Sequence, residues 1–193
     1  MEIKSIEELK KLLWSHGASI LQEVENQTDE LCLAAVNYSG YALRYVKNQT
    51  PEICLAAVTN YGEALLYVKH QTKELCLAAV QNSGNALLHV HSQSEEICRA
   101  AVEQNGLALH HVRRQTKEIC LAAVRQNGMA LKYVMDQFRT AEICLAALDQ
   151  NINAFKHCDQ FLIRAAIREL AKLSEIEEYS ARAKEKTRDT YGF

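Results

Sequence analysis

The chain is poor in residues that interrupt regular structure: among 193 residues there are one proline and seven glycines. Long irregular loops have little to be built from, and collagen-like or low-complexity architectures are excluded. An excess of one charge is also missing. Lys plus Arg number 22 and Asp plus Glu 24, a formal net charge of −2, so bulk attraction to nucleic acid or anionic membrane is not expected. No stretch approaches the roughly 20 apolar residues of a membrane span. The opening MEIKSIEELKKLLWSHG lacks the apolar run of a secretory leader. The expectation is a soluble, cytoplasmic protein whose N-x-S/T triplets at Asn26, Asn37 and Asn48 carry no sugar. No C-x-x-C pair, glycine-rich phosphate loop, nucleophile elbow or metal-ligand triplet occurs, so no enzyme, metal or cofactor is expected. What remains is 48% hydrophobic and 24% charged, a globular balance with enough apolar material for a core.

That material is written in a repeat. Cys32, Cys54, Cys76, Cys98 and Cys120 follow one another at 22 residues, and Cys144 comes after 24. Other columns keep step: Gly40, Gly62, Gly84, Gly106 and Gly128; Leu43, Leu65, Leu87, Leu109 and Leu131; Val46, Val68, Val90, Val112 and Val134. Gln27, Gln49, Gln71, Gln93, Gln115 and Gln137 stand at the joints. Self-similarity at such a period means a stacked array.

Each unit predicts two helices. Thr50-Pro51-Glu52 reads as an N-cap, a first-turn proline and a first-turn acid, and Thr28, Thr72, Ser94 and Thr116 repeat the cap. The apolar run after it predicts a helix to about Asn60, ended by Gly62 in a left-handed conformation. The EALLYVKHQ segment predicts a second, amphipathic helix. Helices this short are marginal alone, so the stack must supply their stability. The first helices, apolar nearly all round, predict a buried spine.

The fold expectation is therefore an all-α solenoid of helix pairs with capped ends. Residues 1–27 form a decayed capping unit, with Lys10 at the cysteine position and Ala18 at the glycine position. Residues 28–161 form six repeats, the last with Ile152 for glycine and Cys158 for valine. Residues 162–193 form a capping helix and a charged tail.

The unit E-[IL]-C-L-A-A-V-x-x-x-G-x-A-L-x-Y-V-x-x-Q resembles an uncharacterised repeat family of bacteria, their phages and large DNA viruses, classed only as a domain of unknown function. The resemblance covers roughly residues 28–161. It implies a tandem helical array and brings no catalytic residues with it.

Equivalent cysteines in stacked units lie about 8–10 Å apart or more, while a disulfide needs Cα atoms within about 7 Å. They read as reduced core. The joint glutamines read as structural staples. Glu30, Glu52, Glu74, Glu96, Glu118 and Glu142 fall in first turns and Lys47, Lys69, Arg113 and Arg114 in last turns, where they neutralise one another along one edge. Two features point outward. Tyr38, Tyr41 and Tyr61 sit among Asn and Gln at the glycine turns, a composition suited to partner contact. Tyr45, Tyr67, His89, His111 and Tyr133 form one column of flat rings, and Arg99 interrupts a leucine column. The functional expectation is a protein-binding scaffold of the effector or inhibitor kind. The alternative is a nucleic-acid or polyanion binder using Arg44, Lys47, Lys69, Arg113, Arg114 and Lys132.

Overall fold

Every Thr or Ser marked as a cap starts an α-helix. The side chains of Thr28, Thr50, Thr72, Ser94, Thr116 and Thr140 each accept the N–H three residues on, at 3.3–3.4 Å, satisfying one orphan donor of the first turn. Ser5 does the same for Glu8 at 3.1 Å. The computed structural model describes residues 1, 3, 5–159, 161, 162, 164 and 168. Its α-helices are α1 (Ile6–His16), α2 (Asp29–Tyr38), α3 (Pro51–Asn60), α4 (Lys73–Asn82), α5 (Glu95–Gln104), α6 (Lys117–Gln126) and α7 (Ala141–Gln150). The proposed C-terminal capping helix and tail, residues 162–193, lie outside the described residues apart from 162, 164 and 168.

The second helix of each unit is a six-residue 3-10 helix and not the longer α-helix that the sequence suggests. These are η1 (Ala18–Glu23), η2 (Gly40–Tyr45), η3 (Gly62–Tyr67), η4 (Gly84–His89), η5 (Gly106–His111), η6 (Gly128–Tyr133) and η8 (Ile152–His157), with a short η7 (Asp136–Phe138) in the last joint. The reason lies in the columns. Gly62, Leu65 and Val68 are spaced by three, and all are buried. A helix with three residues per turn stacks them on one line. An α-helix would carry the third about 120° away from the first.

The α-helices of the repeats do not end on a left-handed glycine. Gly17, which follows α1, is the one described residue with positive φ. The chain instead leaves each later α-helix through an extended residue, such as Tyr61 at φ −146. The repeat glycines are needed because the next unit sits directly on them. A Cβ at Gly84 would stand 2.5 Å from the Ala101 carbonyl oxygen and 2.9 Å from the Asn105 Cβ. Where the column carries a Cβ, that approach is missing. At Ala18, α2 barely touches η1, and at the far end Ile152 is 73% exposed.

The units stack in two layers, α-helix on α-helix and 3-10 helix on 3-10 helix. Between them runs one continuous apolar core from Leu9 to Ala154, with no buried polar or charged residue among the described residues. The spine is not fully sealed. Leu33, Leu77, Leu121 and Leu145 are half-buried, and Leu55 is exposed. This open flank is why Arg99 replaces a leucine without burying a charge; its Nε donates to Glu103 one turn on, at 2.8 Å.

Gly84→Ala forces α5 away from η4, an overpacking strain of about 1–3 kcal/mol. Urea denaturation of the variant should show that loss of stability.

Candidate interaction face

The joints decide which polar residues are free. Each joint glutamine bridges consecutive units: Gln49 Nε2 donates to the Tyr67 carbonyl at 2.8 Å, and its Oε1 accepts the Lys69 N–H at 3.0 Å. Gln27, Gln71, Gln93 and Gln115 repeat both bonds. Gln137 does not belong to this column. The two-residue insertion forms η7, and Arg139 takes the place instead, donating to the Val134 carbonyl at 2.9 Å while its Nε is buried without a partner.

A second amide column, absent from the sequence reading as a structural device, works at the opposite edge. Asn60 Oδ1 accepts the Gly40 N–H at 2.7 Å, and its Nδ2 donates to the Asn37 carbonyl at 3.0 Å. Asn82, Gln104 and Gln126 do the same one unit further on each time. The side chains of Asn60, Asn82, Gln104 and Gln126 on the glycine-turn edge are thus held by backbone. Also exposed there are Tyr38, at 48%, and Tyr61, whose hydroxyl donates to Glu63 at 3.2 Å.

The cations are similarly placed. Lys47 donates to the Val24 carbonyl, Lys69 to that of Lys47, and Arg113 to those of His91 and Val90, all at 2.8–3.2 Å. They do not neutralise the first-turn acids. Ion pairs between units do that for two of the six, Glu96 with Lys73 and Glu142 with Lys117.

The 3-10 layer is where free side chains gather. In a 3-10 helix residues three apart eclipse, so Tyr41 stands over Arg44, Glu63 over Leu66, Asn85 over Leu88, Leu107 over His110 and Met129 over Lys132. Beside this ridge runs the half-buried column Tyr45, Tyr67, His89, His111 and Tyr133. The structure joins these into two clusters. Tyr41 meets Tyr67 edge-on at 5.4 Å and Tyr45 at 6.2 Å between ring centres. Arg44 lies within 6.0 Å of all three rings and donates to the Tyr41 hydroxyl at 2.7 Å, which holds that phenol below its usual pKa. At the other end His110 meets Tyr133 at 4.7 Å and His111 at 5.2 Å, with Lys132 over the Tyr133 ring at 4.5 Å.

Between the clusters lie Leu66 and Leu88, 55% and 56% exposed. Tyr38, Tyr61 and Arg99 are elsewhere, on the turn edge and the α-helical flank. The sequence reading missed Leu66, Leu88 and His110 as parts of this face. Their signal was the spacing of three from Glu63, Asn85 and Leu107, legible only once the helix type is known. Among the described residues no three His, Cys, Asp or Glu side chains converge as a metal site needs, and no helix is long and apolar enough to cross a membrane.

Burial lowers the His111 pKa below its usual 6.5, and the neighbouring His110 and His89 lower it further. The unfolded chain therefore takes up this proton more readily than the folded one. Stability is full above pH 6.5 and falls as the pH drops from there toward the folded pKa. Thermal unfolding between pH 7 and 5.5 should show that fall, and His111→Tyr, the ring found in three other units, should reduce it.

Residues 72–115 and 94–139 match a family described as Domain of unknown function (DUF4116), the second match starting one 22-residue unit after the first. No curated protein and no solved structure matches the chain. The centre of the array is thus similar to a repeat domain whose function is itself undescribed.

Proposed function

We propose that the chain is a non-enzymatic binding scaffold that docks an apolar segment of a partner protein on its 3-10 layer. The observation that carries this is the exposed pair Leu66 and Leu88 between two ring clusters. The frame does not require leucine there, because the same position holds Arg44, His110 and Lys132 in other units. Adjacent exposed leucines without a packing role mark a contact surface. Their remaining area is worth on the order of 1 kcal/mol each when covered. Tyr and Arg beside them supply the residue types that dominate binding energy. The contact set is Tyr41, Arg44, Tyr45, Leu66, Tyr67 and Leu88.

Stacked, cross-bonded units also keep this face rigid, so little entropy is lost on docking. A polyanion reading has less support, since the Lys47, Lys69 and Arg113 head groups are committed to backbone carbonyls.

The test is capture from a native lysate with the tagged chain, the Leu66→Glu/Leu88→Glu pair and an α-face control, Leu55→Glu. Proteins retained by the parent and the control should fall about tenfold or more with the pair, at unchanged helical circular dichroism. Equal retention by all three, loss with Leu55→Glu alone, or retention abolished by nuclease would each overturn the proposal.

A further inference from the structure

The repeat supplies one buried sulfur per unit and holds it the same way in five units. Sγ of Cys32, Cys54, Cys76, Cys98 and Cys120 faces the Oε1 of the joint glutamine five residues before it, at 3.4–3.9 Å. That same oxygen accepts the N–H of the residue just after the unit's valine, Lys69 in the unit of Cys54 and Val68. One amide oxygen thus sits where the cysteine column meets the valine column, at positions 14 apart in sequence.

The last unit changes both partners. Arg139 replaces the glutamine, and Cys158, 14 residues after Cys144, replaces the valine. The Cys144 and Cys158 thiols are neighbours, each perturbing the other's titration. The spacing argument against disulfides compares equivalent positions in successive units and does not cover two columns of one unit. Cys144 is fully buried. Cys158 is half-buried against the core and opens on a cleft of about 320 Å³ lined also by Lys132, Arg139, Lys156, His157 and Asp159.

We propose that Cys144 and Cys158 form a redox-modification site, a dithiol that hydrogen peroxide closes into a disulfide within the last unit. Cys158 is the attacking sulfur, since it alone of the two meets solvent, with Arg139 beside it favouring the thiolate. Burial raises both thiols. Cys144 is pushed up to about 12, with Cys158 beside it adding to the rise, while Cys144 and Arg139 offset part of the rise at Cys158. The Cys158 thiolate attacks one peroxide oxygen, the O–O bond breaks, and hydroxide leaves to become water, giving a sulfenic acid. The Cys144 sulfur then attacks the Cys158 sulfur. The S–O bond breaks, and the departing hydroxide takes the Cys144 proton as a second water. The product ties α7 to the residue that ends η8.

The experiment treats the full chain with hydrogen peroxide, blocks remaining thiols under denaturing conditions and maps unreduced peptides by mass spectrometry. The expected result is a peptide pair joining positions 144 and 158, lighter by two hydrogen atoms. The other five of the seven cysteines should remain alkylatable, and dithiothreitol should reverse the change. Closing the loop should also raise the melting temperature by a few degrees. Cys158→Val installs the residue of the other units and should keep the circular dichroism while losing the peroxide-dependent rise. Over-oxidation of Cys158 without a link to Cys144, a link to any other cysteine or between chains, or an unchanged thiol count would overturn the proposal. The mapping requires no variant, so it decides the matter even if Cys158→Val folds poorly.

Discussion

The architecture depends on side-chain amides that span consecutive units. A chain that switches between α-helix, 3-10 helix and extended joint every 22 residues leaves many backbone groups outside regular hydrogen bonding. Buried, each such group costs about 1–3 kcal/mol if unpaired. An amide answers this because one planar group both donates and accepts. At one edge the glutamine of a joint takes the carbonyl and N–H that flank the valine of the next unit. At the other, Asn60 and its equivalents take a glycine N–H and a helix-end carbonyl of the unit before. Both ladders impose the same register, and that register brings the end of each α-helix against a glycine of the preceding unit. The glycine follows from the ladder, and the 3-10 winding presents it there.

Much of this is legible in the sequence, for a physical reason. Period, caps and apolar columns are one-dimensional signals, and the structure carries them as expected from Thr50-Pro51-Glu52 to the Leu43–Leu131 column. The rest depends on neighbours. The spacing of Gly62, Leu65 and Val68 separates a period of three from 3.6 only once all three are known to be buried, which depends on the neighbouring units. Glycine at a helix end suggests a left-handed cap, whereas here the cause is a carbonyl 17 residues further along the chain, as with Gly84 and Ala101. Asn60 and Gln104 looked like free turn-edge polarity because their partners lie in the preceding unit. Of the candidate site, the ring column was visible in sequence, while its union with the Tyr41–Arg44 ridge waited on the eclipsed geometry of the 3-10 helix.

The same logic says where function has room. Buried columns and both amide ladders fix most of each unit, and the cation column of Lys47, Lys69 and Arg113 is fixed as well. The positions left to vary lie on the outer ridge of the 3-10 layer and the open flank of the α-layer. On the ridge the side chains run from Arg44 through Leu66 and Leu88 to His110 and Lys132, changing chemistry while the frame beneath them does not. A surface of this kind is built by substitution on a fixed grid, with neighbouring units combining their side chains into clusters such as Tyr41, Arg44 and Tyr67.

The last unit breaks the grid. A ladder needs an amide at every joint, and Arg139 cannot accept a hydrogen bond. The oxygen that occupies the meeting point of two columns in five units is therefore absent from the sixth, leaving the arginine with a buried Nε that nothing satisfies. Two sulfurs meet in the space the ladder gave up, with cations around the mouth. In the other five units burial raises the thiol pKa and each Sγ faces a glutamine oxygen. The proposed dithiol lies where that regularity stops.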